Sequence, residues 1–378
     1  MKKVLITATV QSHIAQFHKP LIKLLMDNNY EVHVAAKNNL AEKNGLELNE
    51  PDKVFDLSFS RNPLSISNLG TYKKLKDILD NNNYDIVHCN TPMGGVITRL
   101  AAKKMRKKGL KVFYTAHGFH FYKGSSIKSW LIYYPIEKCL ARHTDKLITI
   151  NKEDFDLANE KKFKTNTYRI HGVGANNEKY SQSNANEIGQ LRAGLSFDKN
   201  DFICVCSGEL NRNKNQEVLI EAAKDVVKVI KNFRLILAGN GKQGNYLKKK
   251  IDKLCLADHV KLVGYRTDLD TFVKSADIVL SSSIREGLGL NLIEGMICGK
   301  PIIASINRGH KELVQENVNG YLVNAKSAKE FSEKIINIYN DRGKYSEMSI
   351  NSLKLSMLYT KSNVINELKE IYSLMEKS

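Results

Sequence analysis

Two carboxylates and three glycines occupy a thirteen-residue stretch, Ser283-Ile284-Arg285-Glu286-Gly287-Leu288-Gly289-Leu290-Asn291-Leu292-Ile293-Glu294-Gly295. The apolar run Ile278-Val279-Leu280 before it reads as a buried strand. Leu290, Ile293, Met296 and Ile297 after it recur at helical spacing. Gly287 and Gly289 therefore fall where a strand turns into a helix. Free backbone N–H groups and the positive dipole end at a helix start suit a phosphate, and glycine lets a ligand approach the backbone. Glu294 lies about one turn into the helix, and helical side chains lean toward the N-terminus, so its carboxylate reaches back to the same end. A carboxylate beside a phosphate needs something between them to donate hydrogen bonds, and a ribose diol fits. Glu286, at the turn, can serve hydroxyls on the far side of the phosphates. On this stretch alone, two solvated glutamates beside an ordinary helix start explain the spacing equally well.

Other stretches supply complementary chemistry. Ser207-Gly208-Glu209-Leu210-Asn211-Arg212-Asn213-Lys214-Asn215 follows a strand and precedes a helix. There Arg212, as a planar fork, and Lys214, as a point charge, can neutralise a diphosphate. Thr115-Ala116-His117-Gly118-Phe119-His120 ends another strand and puts His117, and less firmly His120, at a carboxyl edge, where α/β sheets bind ligands. His13 stands in the first such loop, Thr9 to His13, and is read as loop structure before chemistry. Gly264-Tyr265-Arg266 ends a later strand ahead of a short helix. The DxD pairs Asp154/Asp156 and Asp268/Asp270 are read as helix-start acids rather than metal ligands.

These groups need a scaffold of strand ends. Strands are expected at Lys3–Ala8, Glu31–Ala36, Tyr84–Cys89, Val112–Tyr114 and Lys146–Ile150, alternating with helices. A polar stretch of about twenty residues after Asn176 is the best linker. A fresh series follows, with strands at Phe202–Cys206, Arg234–Ala238 and Val260–Val263. Short apolar strands alternating with helices mean a second parallel sheet. At 378 residues the chain exceeds one typical core, so two domains are expected. Six scattered cysteines without CxxC pairs point to reduced thiols, not zinc. No run of 18 or more apolar residues exists, which indicates a cytoplasmic protein without a transmembrane helix.

The net charge of +18 is uneven: residues 101–150 hold 11 Lys/Arg against 2 Asp/Glu. Such a block is usually a solvated face, but it also suits anionic lipid, phosphorylated substrates or nucleic acid. Beside it, Ser126–Arg142 carries Trp130, Leu131, Tyr133 and Tyr134 among Lys128, Lys138 and Arg142. That helix fits a membrane interface or a core aromatic stripe, and Pro135 interrupts its pattern.

The spacing Glu286-x7-Glu294, with its glycines, resembles the E-x7-E motif of the large retaining glycosyltransferase family 4. The resemblance is ordered over residues 201–323, continuing through Cys298-Gly299-Lys300-Pro301, Arg308-Gly309-His310 and Asn319-Gly320-Tyr321, and weaker before residue 110. It implies a GT-B fold, α/β, with two Rossmann-like domains facing each other across a cleft. The expected domains are 1–175 for the acceptor, joined by a returning helix in 357–378 (helical over Lys361–Met375), and 176–356 for the donor. The family assigns Glu294 to the nucleotide ribose, Glu286 to the transferred sugar and His117 to the sugar and acceptor hydroxyl. Lys214 matches its phosphate-clamping loop. Glu209 stands where many members have arginine, and Arg212 is the candidate replacement. Gly264, Tyr265 and Arg266 match the segment that reads the base, and Gly287, Leu288 and Gly289 the phosphate-binding turn. His13 and His120 are expected on the acceptor side.

The wording of HGFHF and GELNRNKN is similar to the capsular or exopolysaccharide branch, which works on lipid-linked acceptors. The resemblance thus implies a retaining, UDP-sugar-dependent hexosyltransferase with no metal and no separate cofactor. Its donor sugar would be an N-acetylated hexosamine or deoxyhexosamine, and its acceptor an undecaprenyl-diphosphate-linked saccharide. Peripheral contact with the anionic cytoplasmic membrane face is expected, and nucleic acid is not. A UDP-sugar 2-epimerase shares the fold and stays open. A basic nucleic-acid-binding protein is permitted by charge, although it would interleave aromatics with basic residues on one platform.

Overall fold

The computed structural model describes residues 1–42 and 45–373. The chain divides into two compact units: Met1–Gly174 with the segment from Lys361 onward, and Ala175–Thr360.

Unit 1 is built on seven parallel strands: β1 (Lys2–Val10), β2 (Tyr30–Lys37), β3 (Lys53–Asp56), β4 (Ile86–Asn90), β5 (Lys111–Ala116), β6 (Lys146–Thr149) and β7 (Asn166–Arg169). Their order in the sheet is β3-β2-β1-β4-β5-β6-β7. Strands such as β4, Ile-Val-His-Cys-Asn, are buried at every position, as expected of a parallel sheet covered on both faces by crossover helices. The final helix, Lys361–Tyr372, buries Val364, Leu368, Ile371 and Tyr372, and the Tyr372 hydroxyl meets His88 Nδ1 at 2.6 Å. The expected helix ran to Met375, and Leu374 and Met375 lie outside the described residues.

Unit 2 repeats the plan with β8 (Phe202–Ser207), β9 (Phe233–Ala238), β10 (Val260–Gly264), β11 (Ile278–Ser281), β12 (Ile302–Ser305) and β13 (Gly320–Val323). The order is β10-β9-β8-β11-β12-β13, again parallel throughout. Its core joins β8 and β9 to the helix Gln216–Val229, whose Leu219, Ala222, Ala223 and Val226 are buried. Both sheets reverse their strand order beside the first strand, between β1 and β4 and between β8 and β11. Crevices at such reversals are where doubly wound sheets bind ligands. The stretch expected to be a linker is partly a helix, Ala185–Gly194, started by a reciprocal capping box between Asn184 and Glu187. Polar composition there marks a helix start, not an unstructured tether.

Candidate active site

At the reversal in unit 2, the loop after β8 lies against the loop after β11. Backbone and side-chain bonds staple them: the Ile284 N–H donates to Asn213 O (2.8 Å), Asn213 Nδ2 to Arg285 O (3.0 Å) and Ser282 Oγ to Lys214 O (2.8 Å). This seats Lys214 Nζ 2.5 Å from Glu286 Oε1, with both side chains mostly buried. Burial pushes the Glu286 carboxyl up, but the Lys214 ammonium outweighs it and holds the group below its ordinary value. Arg212 and Glu209 are both exposed on the same loop.

After β11 the chain enters the helix Leu290–Ile297 through Gly289, whose φ of 114° lies in the region glycine alone adopts freely. No side chain caps this helix, so its first N–H groups have no intrahelical partner. Leu288 is buried, and Gly309 passes so close that a Cβ there would stand 2.7 Å from the Leu288 N and O atoms. Beneath the turn lies His310, fully buried, with Nδ1 2.7 Å from Ser305 O. Burial lowers the His310 pKa to about 4, so the ring is neutral. Its Nδ1–H then donates to Ser305 O, and the ring props the turn.

Glu294 is half-buried one turn into the helix. Burial raises its pKa to about 7, against opposing contributions from a hydrogen bond with Tyr180 and the charge of Lys179. Lys179 also reaches Asp270 at 3.4 Å. Gly264 ends β10, and its carbonyl accepts the Gly239 N–H at 2.7 Å. Tyr265 is exposed, and Arg266 forks onto Asp268 at 2.8 and 2.6 Å. Unit 2 thus gathers Lys214, Glu286 and the Gly287–Gly289 turn at one strand reversal, with Glu294 on the helix that follows.

The second group lies in unit 1. The expected loop around His13 is replaced by a helix, Gln11–Phe17, because β1 runs to Val10 and the extended Val10 caps the helix directly. His13 is therefore a helical residue. Its Nε2 lies 3.3 Å from His117 Nε2, which also lies 3.3 Å from Asn90 Oδ1. Burial lowers the His117 pKa to about 4, so it is a neutral ring able to accept or donate one hydrogen. The His120 ring packs tilted against Tyr133, centroids 4.6 Å apart. Asp154 is buried and accepts from Phe119 N–H and Asn151 Nδ2, so it fixes the segment after His117. Asp156 pairs with Lys152 at 2.5 Å.

Sequence reasoning missed Tyr180, His310 and Asn90. Tyr180 lies in the segment taken as a linker, so nothing marked it. His310 stood in a quoted motif, where its neighbour Gly309 was the available signal.

The glycosyl transferases group 1 family model matches residues 187–355, and the glycosyl transferase 4-like model matches residues 3–151. EpsD of Bacillus subtilis (strain 168), itself named as a glycosyltransferase, is 40% identical over 98% of this chain and 96% of its own length. The UDP-Gal:alpha-D-GlcNAc-diphosphoundecaprenol alpha-1,3-galactosyltransferase of Escherichia coli is 28% identical over 75% of this chain and 73% of its own. Among solved structures, HepE of Anabaena in complex with UDP superposes with a TM-score of 0.78 at 22% identity, covering 99% of this chain and 100% of that one.

Proposed function

This chain belongs to the group 1 glycosyltransferases, and on that premise we propose that it moves a sugar from a UDP-sugar to a lipid-linked saccharide, with retention at the anomeric carbon. The observation that carries the reading is the Lys214–Glu286 pair beside an uncapped helix start at the strand reversal of unit 2. Transfer needs a leaving diphosphate stabilised as negative charge develops on it. Lys214, Arg212 and the amides of the Gly287-Leu288-Gly289 turn supply fixed positive ends for that charge. With those groups the reaction proceeds without a metal ion. Glu286 accepts from hydroxyls of the transferred sugar, and Glu294 accepts from the ribose. The Gly264-Tyr265-Arg266 segment reads the base. His117 positions the acceptor hydroxyl, and His13 supports it.

The acceptor class is supported by the Escherichia coli relative, whose acceptor is a diphosphoundecaprenol-linked sugar. An N-acetylated hexosamine or deoxyhexosamine donor fits the exopolysaccharide branch. A lipid-linked acceptor asks the enzyme to work at a membrane surface, and unit 1 offers a face for it. No helix among the described residues is long and apolar enough to cross a membrane. The helix Ile127–Ala141 instead divides its residues: Trp130 and Tyr134 pack on Phe121, while Ile127, Leu131, Ile132 and Ile136 are exposed, Leu131 by 72%. With Lys128 and Lys138 on the same helix, this is an apolar stripe bordered by cations, suited to anionic lipid.

The direct test incubates the protein with a panel of UDP-sugars and undecaprenyl-diphosphate saccharides in EDTA. NMR of the product then reads the anomeric configuration. Transfer with retention supports the reading. Interconversion of free UDP-sugars without an acceptor would replace it.

A further inference from the structure

We propose that His13, His18 and His117 form a binding site for one transition-metal ion of the zinc class. The three come together through topology. His13 is on the helix after β1, His18 precedes the helix Lys19–Asp27, and His117 follows β5, two strands away in the sheet. One ring nitrogen of each lies within 4.8 Å of the other two. His13 Nε2 and His117 Nε2 are 3.3 Å apart. Two ligands each about 2.0–2.1 Å from a tetrahedral ion stand roughly 3.3 Å apart, so this pair already has the bite of a zinc centre.

His18 supplies a second, independent observation. It is 6% exposed, and its Nε2 has no hydrogen-bond partner among the described residues. A buried nitrogen without a partner costs free energy, which an occupant would recover. A cavity of about 20 Å³ adjoins His18, His88 and His117, otherwise lined largely by apolar side chains such as Leu21, Val173 and Val364. That is room for one water-sized species, which favours a small occupant over a sugar or phosphate group.

His88 borders the cavity but is held out of the set. Its Nδ1 meets the Tyr372 hydroxyl at 2.6 Å and its Nε2 meets Thr115 Oγ1 at 2.7 Å. Three imidazoles without a carboxylate select zinc, cobalt, nickel or copper over magnesium or calcium. They also leave a fourth position open for water. The charge of Arg61 reaches His13 and opposes the ion. Asn90 Oδ1, 3.3 Å from His117 Nε2, loses a donor when that nitrogen takes the metal.

The consequence for turnover rests on the role given above to His117. An ion held by that nitrogen removes it from the acceptor, so zinc acts as an inhibitor rather than a cofactor. The test uses the full chain stripped with EDTA and dialysed. Co²⁺ is titrated by visible absorption and Zn²⁺ by competition with a chromophoric chelator. Uptake of one ion per chain, weakened at least about tenfold in both His18→Gln and His13→Gln, and unchanged in His259→Gln, is the expected result. No stoichiometric uptake, or wild-type affinity in either the His18→Gln or the His13→Gln chain, overturns the site. Circular dichroism of each variant checks that it folds. In the same samples, zinc should inhibit wild-type transfer and spare His18→Gln. Stoichiometric binding without inhibition leaves the metal site standing and removes His117 from the transfer reaction.

Discussion

Replacing Lys214 with alanine isolates the charge on which transfer is proposed to depend. Its ammonium sits 2.5 Å from Glu286 Oε1, about a quarter exposed. In the proposed reaction it shares that charge with the leaving diphosphate. A hydrogen bond to a charged group is worth about 1.5–3 kcal/mol, so if the bond is fully made only in the transition state, kcat falls about 10- to 150-fold. The substitution has a second effect. Burial pushes the Glu286 carboxyl up, and Lys214 is what brings it down. Without Lys214 the carboxyl protonates at a higher pH and can no longer accept two sugar hydroxyls. The variant should therefore gain, across the acid-to-neutral range, a limb in its rate profile that wild type lacks. Release of UDP at saturating donor, followed across that range, reads both effects. The double variant Lys214→Ala/Glu286→Gln should lose the limb but not regain the rate. Wild-type turnover in Lys214→Ala, or full recovery in the double variant, refutes the reasoning. Full recovery would mean that Lys214 merely neutralises its neighbour.

Glu294 gives a pH prediction with a defined sign. Its folded pKa, about 7, lies above the ordinary 4.5, so the native state binds more protons than the unfolded chain between those values. Stability therefore declines as pH rises through that window, by up to about 3 kcal/mol. Glu294→Gln should flatten the decline in chemical denaturation while raising the donor KM, most visibly above pH 7. Gly309→Ala places a Cβ 2.7 Å from Leu288 backbone atoms, so it should displace the Gly289 turn. Weaker UDP binding by calorimetry, with unit 1 unaffected in hydrogen exchange, is the expected outcome. Leu131→Glu and Ile132→Glu alter exposed positions. They should leave thermal stability within about 0.5 kcal/mol and lower co-sedimentation with anionic liposomes.

Much of this architecture was legible because parallel strands buried on both faces announce themselves as short apolar runs. Phe202–Ser207 and Ile86–Asn90 are such runs, and the glycines mark where strands give way to helices. The Lys214–Glu286 pairing was not legible, since it depends on β8 and β11 being neighbours, which no local pattern encodes. The Gln11 helix start reads as a loop in the sequence because the residue before it, the extended Val10, offers no capping side chain. The Ile127–Ala141 helix held both readings at once. Its Trp130/Tyr134 side is core and its Leu131/Ile132 side is exposed, and Pro135 within the run blurred the periodicity that would have separated them. The convergence of His13 and His18 with His117 is long-range and invisible to spacing.

The central claim is that side chains and amides of unit 2 hold a nucleoside diphosphate without help from a metal ion. Isothermal calorimetry of UDP binding in EDTA tests it most directly. The account predicts one site per chain, unchanged by added Mg²⁺ and weakened by about tenfold or more in both Lys214→Ala and Glu294→Gln. Binding that appears only with Mg²⁺, or that both variants retain in full, would contradict it.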